Sequence, residues 1–387
     1  MINATIIEHY RFPWREGNRF QLLVDGEHFF PSMLAAIEQA KSHVLLEFYL
    51  FESGVVADRF ITAMVAASKR SVQIYLLLDD FGALKLSRHD RQRLVAGGVH
   101  LSFYNPLHYG GLRRNLFRDH RKLLLADGHT AFIGGAGITD EFAALPNQPH
   151  PWHETMVRIT GPCVADWQKV FEQNWNHWAS PVVNLPQPRA LPQPGGSPGR
   201  ITLNSPSRME IKRSLLKRIR NAERRVWIST AYFIPSFKLR RALRHAVENG
   251  ADVRLLLPGE HTDHPAVRHA SRRYFNYLLG RGIRIYEYRP RFLHAKIILC
   301  DHWITTGSSN IDRWNLRWNL EANQEIDDET FTRQIEELFL SDFMQSEEIL
   351  LDAWRKRAWH HLFREWFWGK VEMWLERLGH ISDRFKS

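Results

Sequence analysis

A short pattern of histidine, lysine and aspartate occurs twice in this 387-residue chain, and the two copies start 174 residues apart. In each copy a lysine follows the histidine by two residues, an apolar run follows the lysine, and an aspartate closes the run. The residues of the two copies are His120, Lys122, Asp127, His294, Lys296 and Asp301. Side chains two residues apart on a β-strand lie on the same face. The pattern therefore predicts two buried strands, each presenting a histidine and a lysine side by side.

The sequence around each copy alternates short apolar runs with longer amphipathic segments. Runs of four to eight apolar residues, such as Val72 to Leu78 and Val253 to Leu257, alternate with helical patterns of about a dozen residues. This alternation is typical of an α/β fold in which helices cover both faces of a mainly parallel mixed sheet. Because the order of elements in the second half mirrors that in the first, we interpret the chain as an internal duplication.

A segment rich in proline and glycine separates the two halves. Residues 184–200 contain five prolines and three glycines, a composition that predicts a linker. We therefore expect an N-terminal domain over residues 1–183 and a C-terminal domain over residues 201–346. Residues 347–387 are basic and rich in tryptophan, and we expect them to form an amphipathic helix.

The formal net charge of +10 favours an anionic partner, either nucleic acid or an acidic membrane surface. Fourteen tryptophans favour the membrane, because indole rings prefer membrane interfaces. With only Cys163 and Cys300, the chain has no disulfide framework. Because the first 18 residues are polar, we expect no signal peptide, and because no segment approaches the roughly 18–20 apolar residues of a membrane span, we expect membrane contact to be peripheral.

The residue types of the repeat suit the binding of a phosphate. Histidine serves as a nucleophile or a proton shuttle, lysine supplies positive charge, and the turn Gly307-Ser308-Ser309-Asn310 offers hydrogen-bond donors. Glu154 lies 34 residues after His120, and Glu321 lies 27 residues after His294. A carboxylate that accepts the N–H of an imidazole fixes its tautomer and stabilises its charged form. We expect the two glutamates to support the histidines in this way.

Two such motifs, each followed by a glycine-containing turn, resemble the phospholipase D superfamily, and the resemblance covers nearly the whole chain. Within the superfamily the chain is most similar to the bacterial cardiolipin synthases, in particular to the type without N-terminal membrane spans that is called cardiolipin synthase B. The supporting segments are 25–30, 46–49, 231–235, 293–296, 307–312 and 319–323. The resemblance implies two pseudo-symmetric domains that share one active site at their interface.

The resemblance also implies a mechanism in two steps. His120 would attack the phosphorus to form a phosphohistidine, and His294 would protonate the leaving alcohol and then deprotonate the acceptor. The residues expected to hold the non-bridging oxygens are Lys122, Lys296, Ser308 and Asn310. No metal ion or other cofactor is expected, because the two lysines supply the positive charge. Asp127 and Asp301 complete the catalytic motifs and, lying beyond the buried runs, are expected to anchor them.

The first half departs from the pattern of the synthases at two positions. Gly137 stands where the synthases usually have asparagine, and Glu154 stands where aspartate is common. We therefore expect the phosphate contacts of the first half to come from Lys122 and from backbone N–H groups of the turn at Gly135.

Two segments combine basic and apolar residues and are open to two interpretations each. The loop 105–119, which carries Arg118 and two other arginines, is either a headgroup-binding segment or a solvated connection. In the C-terminal tail, Trp354, Leu362 and Trp366 share one helical face flanked by basic residues. That face either contacts a membrane or packs on the second domain or in a dimer.

The function favoured by the resemblance is synthesis of cardiolipin from two molecules of phosphatidylglycerol, with release of glycerol. The expected partners are phosphatidylglycerol and the membrane surface rather than nucleic acid, and the expected location is the cytoplasmic face of the bacterial inner membrane. Two alternatives remain: a phospholipase D-type hydrolase or nuclease, and a non-catalytic scaffold that binds lipid or nucleic acid. Two intact motifs argue against the scaffold.

Overall fold

The computed structural model describes residues 11–107, 114–186, 188, 191–205, 208–312 and 319–357. The first half alternates strands and helices and closes with three antiparallel strands and a long helix. Its strands are β1 (Arg15–Val24), β2 (His43–Phe48), β3 (Gln73–Asp79), β4 (His100–Tyr104), β5 (Lys122–Ala126), β6 (Thr130–Gly134) and β7 (Thr155–Thr160). Its helices are α1 (Gly26–Gln39), α2 (Val55–Lys69), α3 (Arg88–Ala96) and α4 (Cys163–Trp178).

The second half repeats this order of elements, with short additional strands. Its strands are β8 (Ser197–Ser205), β9 (Arg208–Met209), β10 (Arg225–Ser229), β11 (Phe233–Ile234), β12 (Asp252–Pro258), β13 (Arg284–Tyr288), β14 (Ile297–Cys300), β15 (Trp303–Gly307), β16 (Ile311–Asp312), β17 (Glu321–Asp327) and β18 (Ser346–Glu348). Its helices are α5 (Glu210–Arg220), α6 (Phe237–Glu248), α7 (Pro265–Arg272), α8 (Phe275–Leu279), α9 (Glu329–Met344) and α10 (Leu351–Arg355).

Side-chain caps fix the start of several helices. Ser87 accepts a hydrogen bond from the backbone N–H of Asp90 at the start of α3, and Ser236 accepts one from Leu239 at the start of α6. Asp328 caps α9 in the same way through the N–H of Phe331. These contacts satisfy backbone donors that have no partner inside the helix.

The strands of the two halves form one continuous mixed sheet. Its order is β18-β13-β12-β10-β14-β15-β17-β8-β1-β7-β6-β5-β2-β3-β4, with β9 on the side of β8. The halves meet where β1 pairs with β8 through Arg15 opposite Gly199 and Asn18 opposite Ser197. Residues 197–200, which the composition placed in the linker, therefore already belong to the second half of the sheet.

The α/β architecture with helices around a mixed sheet is confirmed, but the sheet is less parallel than the alternation predicted. Among the described strands of the large sheet, the parallel pairs lie toward the ends, as β2–β3–β4 and β10–β12–β13. The motif strands β5 and β14 each turn back directly into β6 and β15, and a short hairpin joins only antiparallel strands. The inner part of the sheet is therefore antiparallel.

The largest hydrophobic cluster spans both halves. It contains Trp167 and Trp175 of α4 together with Phe331 and Phe339 of α9. The indole N–H of Trp167 also donates to the side chain of Gln324 in the other half, at 2.9 Å. This shared core fixes the two halves against each other and thereby fixes the two motifs.

The C-terminal helix, which the sequence predicted from residue 347, starts at Leu351 instead. Glu347 and Glu348 belong to β18, and the following helix α10 is short. Trp354 is 5% exposed and packs on Phe275, with ring centroids 5.0 Å apart, so this tryptophan contacts the second half of the protein. The remainder of the tail lies outside the described residues. Within the described part of the chain, no helix is long and apolar enough to cross a membrane.

Candidate active site

Each motif histidine is held in place by a backbone segment of the opposite half. The N–H of His120 donates to the carbonyl of Leu320 at 3.0 Å, and the N–H of His294 donates to the carbonyl of His153 at 2.7 Å. Isolated parallel bridges join Asp119 to Leu320 and His153 to Leu293 at the same places. The two motifs thus approach each other where the halves of the sheet converge.

The supporting glutamates pair with the histidines across the halves. Nδ1 of His120 lies 3.0 Å from a carboxylate oxygen of Glu321, and Nδ1 of His294 lies 2.6 Å from Glu154. The sequence predicted that these glutamates support the histidines, but it gave no sign that each would come from the other repeat. Because each imidazole depends on a carboxylate of the opposite half, the two halves form one site.

Burial keeps both imidazoles neutral in the free site. Loss of solvation, together with the ammonium of Lys296 at 3.0 Å, lowers the pKa of His294 to about 4 although Glu154 opposes the shift. Burial also lowers the pKa of His120, against the opposing charge of Glu321. With Nδ1–H donating to a carboxylate, Nε2 of each ring carries the lone pair that can act as a nucleophile or a base, and in the free site Nζ of Lys296 lies 3.4 Å from Nε2 of His294.

The two motif lysines are buried and lie close enough to affect each other. Burial lowers the pKa of Lys122 to about 7; Lys296 adds to this effect, whereas Glu321 opposes it. Burial likewise lowers the pKa of Lys296, which is 3.2 Å from Glu154. Lys122 also lies 5.3 Å from the centre of the Tyr49 ring, beside His120. A bound anion would favour the charged form of both lysines.

Ser308 has a protein partner in the free site. Its hydroxyl donates to Glu321, which in turn supports His120, so Ser308 positions this carboxylate. The matching residue of the first half is Gly135, where an added Cβ would lie 2.1 Å from Glu154. The absence of a side chain at Gly135 therefore makes room for Glu154 to contact both His294 and Lys296.

Asn310 is the side-chain amide that remains available for a ligand. It is 1% exposed, and neither its amide nitrogen nor its amide oxygen has a hydrogen-bond partner among the described residues. Its counterpart, Gly137, packs on Leu50, and an added Cβ would lie 2.8 Å from Cβ of Leu50. A residue with a side chain at 137 therefore requires that Leu50 move, which accounts for glycine at this position.

The two motif aspartates lie at the far ends of their strands from the histidines. Asp127 accepts hydrogen bonds from the backbone N–H groups of residues 41–43, and Asp301 accepts them from residues 223–225. Both aspartates adopt positive φ, 52° and 56°, in the turn after the motif strand. They tie each motif strand to the start of its neighbour and do not contact the imidazoles.

Comparison with known proteins agrees with this geometry. The family description "Cardiolipin synthase, PLD-like domain" matches residues 33–175 and 215–343. Cardiolipin synthase B of Salmonella typhimurium is 36% identical over 362 residues, which cover 90% of this chain and 86% of that protein. Cardiolipin synthase B of Escherichia coli K12 is 35% identical over 368 residues, with the same coverage. The chain belongs to the cardiolipin synthase family of the phospholipase D superfamily.

A solved structure outside this family shares the fold. Phosphatidylserine synthase of Haemophilus influenzae superposes with a TM-score of 0.69 over 87% of this chain and 89% of that chain, at 14% identity. At this identity the likeness shows the architecture alone.

The residues around the two histidines of this cardiolipin synthase family member differ between the halves. His294 is surrounded by three aromatic rings, those of Phe142, Trp152 and Phe292, with centroids 5.2–5.6 Å from the imidazole. Beside His120 the corresponding neighbour is Tyr49, at 4.9 Å. The site is therefore more apolar on the side of His294.

Arg118, in the basic loop that precedes the first motif, is not directed at a ligand. It is 7% exposed, pairs with Asp79 at 3.3 Å and donates to the backbone carbonyl of Asn105. Its role is to close the base of the loop, so the headgroup-binding interpretation does not hold for this arginine. Residues 108–113 of the loop lie outside the described residues.

Sequence reasoning missed a buried charge network beside the site. His153 lies between two carboxylates, 2.9 Å from Asp25 and 3.2 Å from Asp342, and Arg291 pairs with Asp25. Burial disfavours the charged imidazole, but the two carboxylates outweigh burial and raise the pKa of His153 to about 9. The backbone carbonyl of His153 accepts the N–H of His294. The charged network, with Asp25 and His153 from the first half and Arg291 and Asp342 from the second, therefore fixes the start of the second motif. The residue of the second repeat that corresponds to His153 is Leu320. Because leucine carries no charge, comparison of the two repeats did not indicate the charged network.

We expect His153 to make the stability of the protein depend on pH. Its folded-state pKa lies above its usual value near 6.5, so its contribution to the unfolding free energy is complete below about pH 6.5 and is lost as pH rises through 9. The unfolding free energies of the protein and of His153→Gln should therefore differ most near pH 6. Between pH 6 and pH 10 the difference should shrink by an amount on the order of 3 kcal/mol. Denaturant unfolding at several pH values measures it, and a difference that does not change with pH would contradict the assignment.

Proposed function

We propose that this chain is a phosphatidyltransferase that makes cardiolipin and glycerol from two molecules of phosphatidylglycerol. The observation that carries the proposal is the crossed arrangement of His120 with Glu321 and of His294 with Glu154, beside two buried lysines. Two neutral imidazoles in one site supply a nucleophile and a proton carrier, which double displacement at a phosphodiester requires. Relatives named cardiolipin synthase B, at 35–36% identity over 90% of this chain, support lipid phosphodiesters as the substrates.

In the first step Nε2 of His120 attacks the phosphorus of phosphatidylglycerol, and the bond from phosphorus to the glycerol oxygen breaks. His294 supplies the proton that leaves with glycerol. Burial and the neighbouring Lys296 keep His294 neutral in the free site, and the negative charge of the bound phosphodiester raises the pKa of His294 so that it can carry this proton. We take His120 as the nucleophile, which is the order that the family resemblance implies.

In the second step the neutral His294 accepts the proton of a glycerol hydroxyl on a second phosphatidylglycerol. The oxygen of that hydroxyl attacks the phosphorus, and the bond between phosphorus and Nε2 of His120 breaks with its electron pair returning to the ring. Lys122, Lys296 and the amide of Asn310 hold the non-bridging oxygens in both steps. A preorganised donor of this kind contributes about 2.7–4 kcal/mol to the stabilisation of a transition state in other enzymes.

The proposal includes the surroundings of the reaction. The enzyme would act as a peripheral protein on the cytoplasmic face of the bacterial inner membrane, with anionic phospholipids as partners and without nucleic acid. The halves 1–183 and 197–346 would act as one catalytic unit joined by the segment 184–196, and residues from 347 onward would add to the second half.

Vesicles of phosphatidylglycerol test the proposal. Purified protein should convert the lipid to cardiolipin and release one glycerol for each cardiolipin formed, as measured by lipid separation and a glycerol assay. Phosphatidic acid as the sole lipid product would identify a hydrolase instead. Cleavage of DNA without any lipid turnover would identify a nuclease.

We expect Asn310→Ala to separate activity from stability. The buried amide has no partner among the described residues, so its removal should leave the unfolding free energy unchanged or slightly higher. Loss of a phosphate donor should at the same time lower kcat for cardiolipin formation by about 10²-fold. Kinetics and denaturant unfolding of the same variant measure both effects. A fall in kcat accompanied by a clear fall in the unfolding free energy would mean that Asn310 is a packing residue.

A further inference from the structure

A groove of about 650 Å³ lies along one side of α5, away from the two motif histidines. Its floor includes residues 300–303, the turn that ends the second motif strand. Asp301 in this turn lies seven positions after His294, so the groove lies about 20 Å from the imidazole along the strand direction. It is therefore separate from the site of phosphatidyl transfer.

The walls of the groove carry an excess of positive charge. Six basic side chains line it: Arg11, Arg200, Arg208, Arg213, Lys217 and Arg218. Two of these cations have carboxylate partners, since Arg208 pairs with Glu210 and Arg200 pairs with Glu325, and the carboxylate of Asp301 accepts backbone N–H groups. Within the described residues, no carboxylate pairs with Arg11, Arg213, Lys217 or Arg218. Cations brought together without counter-charges repel one another, and an anion in the groove would relieve this repulsion.

Two tryptophan rings orient two of the guanidinium groups of the groove. The guanidinium of Arg218 lies 5.4 Å from the centre of the Trp303 ring, and that of Arg200 lies 5.2 Å from the Trp14 ring. The indole faces hold the two guanidiniums at the groove walls. The side chain of Arg208 is 9% exposed, and its Nη1 has no hydrogen-bond partner among the described residues. The groove thus contains a buried donor as well as surface charge.

The fold itself does not require this charge. Helix α1 occupies the same place in the first repeat and contains no lysine or arginine among its 14 residues. Helix α5 carries Lys212, Arg213, Lys217, Arg218 and Arg220 among its 11 residues. A covering helix at this position can therefore form without basic residues, so the positive charge of α5 is not a requirement of the fold.

We propose that this groove binds an anion bearing one or more phosphate groups at a second site. Guanidinium groups match the geometry of phosphate oxygens and donate two hydrogen bonds at once. The volume is within the range of small-ligand pockets and exceeds what a single phosphate fills. A soluble phosphorylated compound and the headgroup of an anionic phospholipid both present this chemistry.

Binding of inorganic pyrophosphate to the full chain tests the proposal. We expect Arg213→Ala/Lys217→Ala to weaken binding in titration calorimetry by at least about tenfold, because two charge-assisted contacts are lost. The matched control is Arg59→Ala/Lys69→Ala on α2, which removes the same two charges from exposed positions in the first half and should change the affinity less than about twofold. All four side chains are exposed, so both double variants should fold, as circular dichroism can verify. His294→Ala should keep the affinity of the unaltered protein.

Co-sedimentation with vesicles distinguishes the two sources of phosphate. If the groove variant loses binding to phosphatidylglycerol vesicles but the α2 variant does not, the ligand is a lipid headgroup. If it loses only pyrophosphate binding, the ligand is soluble. Unchanged affinity of the groove variant for both probes overturns the proposal, and so does loss of pyrophosphate binding in His294→Ala, because the anion would then occupy the transfer site. None of these measurements requires turnover, so they stand apart from the test of the transferase activity.

Discussion

Alanine at either motif histidine is expected to lower cardiolipin formation by about 10⁴-fold or more. His120→Ala removes the proposed nucleophile, and His294→Ala removes the proton carrier. Since each ring is held by a carboxylate of the opposite half, neither half retains a complete pair of catalytic groups. The initial rate of cardiolipin formation from phosphatidylglycerol vesicles measures the loss.

The matched control for this experiment is His129→Ala. His129 is exposed in the turn that follows the first motif strand, so the same substitution there should leave the rate within about twofold. Activity above about a tenth of the unaltered rate in either motif variant would mean that the two histidines do not act as one site.

Removal of charge from the supporting glutamates is expected to have the second largest effect, and the effect should be unequal. Glu154 contacts His294 at 2.6 Å and Lys296 at 3.2 Å, whereas Glu321 contacts His120 and Ser308. Glu154→Gln leaves a buried lysine without its counter-charge, which favours the neutral amine and removes a positive charge from the phosphate site. We therefore expect kcat to fall by about 10³-fold or more in Glu154→Gln and by about 10²-fold in Glu321→Gln.

These two glutamates act through the histidines and not on the substrate, so KM should change much less than kcat. Glu325→Gln is the appropriate control: Glu325 is 1% exposed on the same strand as Glu321 but pairs with Arg200, away from the histidines. That variant should lose stability and keep its kcat within a few-fold. If Glu154→Gln and Glu325→Gln had the same kinetic profile, the role of Glu154 would be structural.

Much of the fold follows from local sequence patterns. Alternating apolar runs and amphipathic segments predicted the α/β architecture, and the identical spacing of the two motifs predicted the duplication. The pairing of strands is harder to predict, because a short apolar run such as Leu123 to Ala126 fits a parallel or an antiparallel neighbour equally well. The continuous sheet depends on β1 pairing with β8, a contact between residues about 180 positions apart that leaves no local signal.

The residue types of the site could be predicted from the sequence, but their hydrogen-bond and ion-pair partners could not. Histidine, lysine and glutamate are recognisable as chemical groups from their types and spacing. Their partners depend on the packing of the two repeats, so neither the crossed pairing of Glu154 nor the contact of Ser308 with Glu321 can be derived from spacing. The network around His153 is the clearest case, since its residues Asp25, Arg291 and Asp342 lie in three separate parts of the sequence and carry no motif.

Trapping the covalent intermediate tests the central claim most directly. Phosphatidylglycerol labelled at phosphorus would be mixed with the protein, quenched within milliseconds in base, and the labelled peptide identified by mass spectrometry. We expect a phosphatidyl group on His120 of the unaltered protein and no label in His120→Ala. In His294→Ala, supplied with a donor whose leaving group needs no proton, the labelled intermediate should accumulate. A label on His294 would reverse the order of the two histidines. Turnover of the lipid with no label on either histidine would contradict the shared-site mechanism.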